Sequence, residues 1–132
     1  MTVEDHLYTR LTGYGGLTTL VGTRIYPQTP NHNTTLPYIV FHRVSTLRHS
    51  AFSADIANVD SRVQFDIWSN TYDGTSGVIA IGNQLRAALQ RYSGTSDGTE
   101  IETIFVDGEF DEYDPATERH RRTMDFMVHY KE

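Results

Sequence analysis

A chain of 132 residues with 38% apolar residues has the length and composition of one domain built around one hydrophobic core. It has no cysteine, which excludes disulfides and thiolate metal sites, and no apolar run of the roughly 18 residues that a membrane span needs. Its net charge of −6 argues against a protein whose main task is to grip nucleic acid. We therefore expect a soluble protein made in the cytosol.

The first half of the chain predicts a helix and two strands. A short helix is predicted over residues 2–11, with Thr2 as its cap and Asp5 placed three residues later to complete the cap. Strands are predicted over 38–47 and 59–69. The second strand alternates, with Val63, Phe65 and Ile67 directed inward and Arg62, Gln64, Asp66 and Trp68 directed outward.

The segment between these strands, residues 48–58, breaks the alternation and is expected to form a long hairpin loop or flap. After the second strand the sequence predicts a long helix over 74–92, with Asp73 or Thr71 as its cap. Apolar residues recur along this helix at the spacing of a buried stripe, namely Val78, Ile81, Leu85, Ala88 and Leu89.

Two further strands are predicted over 100–106 and 119–130, so the element order is α-β-β-α-β-β. Strands joined by hairpins and helices on one side are typical of the α+β class. We therefore predict a single domain, residues 1–132, with an antiparallel or mixed four-stranded sheet on which a long helix and a short N-terminal helix pack.

An acidic loop is predicted between the last two strands, formed by Asp107, Glu109, Asp111, Glu112 and Asp114. The spacing fits a calcium loop in part, but Glu112 stands where such a loop requires glycine. The simpler interpretation is a solvated hairpin tip, and a third is an acidic surface that repels DNA or docks on a basic partner. The basic cluster at residues 119–122 is expected to pair with this acidic loop.

Signals for catalysis are weak. None of the six histidines forms a His-x-x-x-His motif, and neither a nucleophile elbow nor a phosphate-binding loop is found. His42 and His129 lie in mid-strand and could be neighbours across a sheet, where zinc would need carboxylates as its other ligands. A small hydrolase or metal-dependent enzyme that uses Asp66, His42 or the acidic loop is the least favoured class, and we predict no catalytic, cofactor or metal site.

Five segments, taken in order along the chain, carry a family resemblance. They are Arg24-Ile25-Tyr26-Pro27, Leu36-Pro37-Tyr38-Ile39-Val40, Arg62-Val63-Gln64-Phe65-Asp66-Ile67-Trp68, Tyr72-Asp73, and Tyr113-Asp114-Pro115 followed by Arg122-Thr123-Met124-Asp125-Phe126. In this order and spacing the chain resembles the tail-terminator (tail-completion, head–tail joining) proteins of long-tailed bacteriophages and gene transfer agents.

The resemblance implies a virion protein with no catalytic site and no cofactor. Such proteins assemble as a ring, commonly hexameric, that caps the tail tube, ends its elongation and joins the tail to the head connector while DNA passes through. The implied partners are further copies of the chain, the tail-tube protein and the connector (stopper) protein, with no membrane, and assembly takes place in the host cytoplasm. The alternative is another head–tail connector or a small protein-binding module of the same particle.

Candidate interface residues follow from the composition and the outward face. Arginine with almost no lysine suits planar, hydrogen-bonded pairing at protein interfaces, and an outward tryptophan is more often covered than left bare. The predicted subunit or partner interface contains Arg43, Arg48, Phe52, Arg62, Asp66, Trp68, Tyr113, Arg119 and Arg121.

Overall fold

The computed structural model describes residues 2–27, 35–50, 55–96 and 98–131. In these ranges the elements are α1 (Val3–Thr12), α2 (Gly15–Val21), β1 (Ile25–Pro27), β2 (Tyr38–Ser50), β3 (Asp55–Ser69), α3 (Val78–Leu89), β4 (Gly94–Ser96), β5 (Thr99–Asp114) and β6 (Arg119–Lys131). The six strands form one sheet in the order β1-β2-β3-β6-β5-β4. β1 is parallel to β2, and every other neighbouring pair is antiparallel.

The predicted four-stranded sheet with one long helix is wrong. The sheet has two more strands, β1 and β4, and α2 is a helix in its own right. Both added strands are three residues long and lie at the sheet edges. Three residues are too few to show a period in the sequence, so only their pairing with β2 and β5 makes them strands.

The main helix begins one turn later than predicted. Its N-cap is Gly77, with no side-chain hydrogen bond, instead of Asp73 or Thr71. The first amides of α3 instead donate to backbone carbonyls, Val78 to Thr71 at 3.3 Å and Ile79 to Tyr72 at 3.2 Å. Two of the orphan donors of this helix are therefore satisfied by backbone carbonyls of the preceding loop, in place of a capping side chain.

The predicted long loop at 48–58 is largely strand. β2 continues to Ser50 and β3 begins at Asp55, so the two strands form an extended hairpin. Their pairing changes register twice, between Arg43 and Ser45 and between Arg48 and Ser50. Such irregularities interrupt the alternation of apolar and polar side chains, which is why the sequence pattern does not predict a strand over residues 48–58.

The predicted core is confirmed. Phe65 stacks on Phe41 with ring centroids 5.1 Å apart and meets Phe126 edge-on at 5.4 Å. The predicted inward residues of β3 and the predicted stripe of α3 are all buried. The three helices contribute to this same core, so they all cover one face of the sheet.

Close packing of α3 on the sheet depends on Gly82. A Cβ atom at this position would lie 2.9 Å from the side chain of Arg122 and 3.5 Å from Met124, both on β6. The capping box predicted at Thr2 and Asp5 is also present, and it begins the helix α1 that packs beside α3. Between these helices, Arg10 donates to the carbonyl of Ala88 at 2.9 Å.

We expect Phe65→Ala to lower the free energy of unfolding by about 3–5 kcal/mol, because it leaves a cavity between two other rings. The matched control is Phe110→Ala, the same change at a ring that is 50% exposed on β5. That substitution should lower the free energy of unfolding by less than about 1 kcal/mol. Urea unfolding measures both values, and equal losses would contradict this account of the core.

Candidate functional site

The face of the sheet away from the helices carries the outward residues of β3 and is called the open face here. Asp66 lies near its centre and accepts hydrogen bonds from Thr123 at 2.8 Å and from Gln64 at 3.2 Å. Arg62 forms an ion pair with Asp107 at 2.8 Å. The open face is thus a polar network that links β3, β5 and β6, and its members are half-buried or exposed, apart from the fully buried Thr123.

An aromatic corner lies at one end of the open face. Trp68 stacks beside Tyr38, with ring centroids 6.4 Å apart, and the guanidinium of Arg121 lies 5.4 Å from the Trp68 ring. A cavity of about 50 Å³ opens here. It is lined by Trp68, Glu112, Tyr113, Asp114, Arg119 and Arg121, so the structure brings together four predicted interface residues and two predicted acidic residues.

Arg62 and Asp66 belong to the polar network described above, and Arg43 and Arg48 lie elsewhere. Arg43 is on the helix-covered side, where it forms an ion pair with Glu4 of α1 at 2.6 Å. Arg48 is exposed near the far end of β2. Phe52 lies outside the described residues. Arg43 and Arg48 therefore do not belong to the aromatic corner, and the role of all three residues at an interface stays a prediction.

The acidic residues lie along strand β5 and not in a loop at the tip. The exposed end of the β5–β6 hairpin, residues 107–118, is called the acidic arm here. Asp111 accepts two hydrogen bonds from Arg122, at 2.7 and 3.1 Å, and Glu112 accepts one from Arg121 at 2.7 Å. The predicted pairing of the acidic segment with the basic cluster is confirmed.

Ion pairing shifts the titration of the arm. The hydrogen bond from Arg122 holds the pKa of the Asp111 carboxyl below its ordinary value against an opposing effect of burial, and the hydroxyl of Tyr72 adds to the lowering. The same pair raises the pKa of Arg122. Asp114 has a different role, since it accepts from the amide of Ala116 and the hydroxyl of Thr117 in the turn.

A cluster of two histidines and one aspartate was missed by the sequence reasoning. Asp60 on β3 accepts from His49 at 3.0 Å and from His129, which lies opposite it on β6. Burial favours a higher pKa for Asp60, but the hydrogen bonds from both imidazoles outweigh it and hold the pKa below its ordinary value. His42 faces Gln64 on β3 and not His129, so the expected neighbourhood of those two histidines is wrong.

The cluster borders a cavity of about 450 Å³ lined by His49, Asn58, Val59, Asp60, Glu102, Thr103, His129 and Tyr130. Only the register of β3 against β6 brings Asp60 next to His129, and no local sequence motif predicts this contact. In the ranges given above, no group of three or more His, Asp or Glu side chains is arranged to hold a metal ion.

Apolar side chains are exposed at both ends of the sheet. Phe110 and Tyr113 are 50% and 52% exposed on the acidic arm, and Val44 and Leu47 are 49% and 62% exposed toward the other end of β2. Large exposed apolar side chains next to charged ones are typical of surfaces that contact other proteins. No helix in the described part of the chain combines the length and apolarity needed to cross a membrane.

The architecture is a helix-covered mixed sheet with two projecting hairpins, and it recurs in a virus-like particle. A solved structure described as the virion of a native gene transfer agent (GTA) particle contains a chain that superposes with a TM-score of 0.79 at 13% sequence identity. The match covers 96% of this chain and 92% of that chain. At this identity the likeness concerns the fold.

The sequence itself matches the family described as tail completion protein gp17 over residues 5–131. The chain belongs to this family, as the order of its five segments indicated. It is a structural protein of a phage-type tail and a component of the virion. A search of curated proteins found no match.

We expect acid to destabilise the protein in part through Asp111. A carboxyl whose folded pKa is lowered stabilises the fold above its unfolded pKa of about 3.9, and this contribution is lost as the pH falls through the folded value. Asp111→Asn should therefore show a smaller drop in unfolding free energy between pH 7 and pH 3 than the unmodified protein. Urea titrations at both pH values measure it.

The matched control is Glu100→Gln on the same strand, because Glu100 is exposed and makes no hydrogen bond or ion pair among the described residues. The drop in unfolding free energy of this variant between pH 7 and pH 3 should resemble that of the unmodified protein. An equal reduction in both variants would mean that the Asp111–Arg122 pair is not the source.

Proposed function

We propose that this protein ends the tail tube as a ring of identical subunits and joins the tail to the head connector while DNA passes through the centre. The membership of the tail completion family supports a place in the tail. The observation that carries the finer proposal is the presence of two long hairpins that leave the same sheet at opposite ends. A joint between two different structures needs two separate contact regions, one for each neighbour.

The strand register defines these two ends. One row across the sheet contains Tyr38, Trp68, Arg121 and Glu112, and the acidic arm continues beyond it. A row near the other end contains Arg48, Val59, Tyr130 and Ile101, and the β2–β3 hairpin continues beyond that one. Because the hairpins point in opposite directions, each subunit of a ring would present one hairpin toward each axial side.

The charge of the chain supports a passage for DNA. The net charge is −6, and residues 107–118 contain six acidic and no basic side chains. A surface of this sign repels the phosphate backbone, so DNA would slide past without binding.

A structural role without catalysis also accounts for the perturbed groups. The shifted pKa values of Asp111 and Arg122 arise from a single ion pair across two strands, and that of Asp60 from hydrogen bonds to histidines on the strands around it. Each of these contacts ties strands together. We propose that they stabilise the hairpins and that the protein is not an enzyme.

Shortening the acidic arm tests this function. Replacing residues 112–121 by Asn-Gly keeps the Asp111–Arg122 pair and closes the hairpin with a turn suited to two residues. We expect the variant to fold, as judged by cooperative urea unfolding, and to leave most heads and tails unjoined. Electron microscopy of particles made with the variant counts joined particles and measures tail length.

The control is Glu112→Gln, which removes the ion pair to Arg121 and keeps the length of the arm. It should yield joined particles near the unmodified number. A shortened arm that supports normal joining and normal tail length would refute the proposal. Normal length with failed joining would assign the arm to the joint and leave tail termination to other parts of the chain.

A further inference from the structure

The chain contains three Asp-Gly pairs, at residues 73–74, 97–98 and 107–108. In such a pair the glycine has no Cβ, so its amide nitrogen is open to the side-chain carboxyl group of the aspartate before it. Asp97 lies outside the described residues. The structure places the other two pairs in different surroundings, and only the pair at 73–74 leaves both groups free to react.

Asp73 and Gly74 are exposed in the turn between β3 and α3. The carboxylate of Asp73 and the amide of Gly74 make no hydrogen bond or ion pair among the described residues. Gly74 has a φ of 86°, and a Cβ atom built on it would meet no described atom within 4 Å beyond its chain neighbours. No contact therefore holds the carboxyl group away from the neighbouring nitrogen.

Asp107 and Gly108 are also exposed, but both are held in place. Arg62 forms an ion pair with Asp107 at 2.8 Å, and Gly108 lies opposite Asp125 where β5 pairs with β6. A paired strand fixes the torsion angles of its main chain. The carboxyl group of Asp107 can therefore reach the nitrogen of Gly108 only after the hairpin opens locally.

We propose that Asp73 is a site of spontaneous isoaspartate formation in the folded protein and that the fold protects Asp107 from the same reaction. The amide nitrogen of Gly74 forms a bond to the side-chain carboxyl carbon of Asp73, and the amide hydrogen leaves with the carboxyl hydroxyl as water. The cyclic imide then takes up a water molecule. Opening at the main-chain carbonyl leaves Asp73 joined to Gly74 through its side chain, and the composition of the chain is unchanged.

The modification lengthens the main chain next to the first turn of α3. The carbonyl of Tyr72 accepts from the amide of Ile79 at 3.2 Å, and the carbonyl oxygen of Asp73 would lie 2.4 Å from a Cβ atom on Gly77. The hydroxyl of Tyr72 also donates to Asp111 on the acidic arm at 3.0 Å. Isoaspartate therefore disturbs both the start of α3 and the contact that joins this turn to the arm.

Ageing the protein at neutral pH, folded in buffer and unfolded in guanidinium chloride, measures the effect of the fold on both reactions. Trypsin releases Asp73 in residues 63–86 and Asp107 in residues 92–119, because arginine precedes and ends each segment. Electron-transfer fragmentation identifies isoaspartate and distinguishes Asp107 from Asp97. Folding should leave the rate at Asp73 nearly unchanged and slow the reaction at Asp107 by about tenfold or more, since only locally opened molecules react there.

The matched variant is Asp73→Glu, which keeps the charge but would have to close a larger ring. Isoaspartate should disappear from residues 63–86 of this variant, and aged samples of it should unfold at a higher urea concentration than aged unmodified protein. Fresh samples of the two should unfold alike, because the Asp73 side chain makes no hydrogen bond or ion pair among the described residues. Conversion at Asp73 in guanidinium chloride but not in the folded protein, or equal rates at Asp73 and Asp107 in the folded protein, would overturn the proposal.

Discussion

The pairing of β3 with β6 is the constraint on which the rest of the structure depends. These strands run side by side from Asn58–Lys131 to Ser69–His120 without a register shift, whereas both flanking pairs contain irregularities. Since side chains alternate between faces, a slip of one residue would turn Phe65 and Phe126 out of the core. The same register aligns Asp66 with Thr123 on the open face and Asp60 with His129 near one end.

The acidic arm is stabilised by different interactions from those that stabilise the centre of the sheet. The centre is held by stacked rings and by α3, which packs closely on β6 at Gly82. The acidic arm is exposed and is held by cross-strand ion pairs, each of which contributes a few tenths of a kcal/mol up to about 1 kcal/mol. Elements that project from a core and carry little local stability are suited to contact and adjust to neighbours. A rigid scaffold with two adaptable ends fits a tail protein that meets several partners.

Charge is distributed so that folding and assembly use different residues. The arginines of β6 neutralise acidic residues within the subunit and keep the hairpin closed. Arg86 and Arg91 are exposed at the end of α3 and make no hydrogen bond or ion pair among the described residues. In a chain with a net charge of −6, the exposed carboxylates of the acidic arm repel other negatively charged surfaces. The ring, its lumen and the joint to the head follow from this distribution as proposals.

The sequence by itself determined the long elements, the buried faces and the family. Val63, Phe65 and Ile67, and the stripe of α3, were readable because the period of two in a strand and the spacing of three to four in a helix are local properties. The pairing of acidic residues with 119–122 was also readable, because both lie in one hairpin. Only the tertiary structure decided the six-stranded order, the strands β1 and β4, the late start of α3 and the cluster around Asp60. Each of these depends on which distant segments lie side by side, and that is set by the packing of the whole core rather than by any window of the chain.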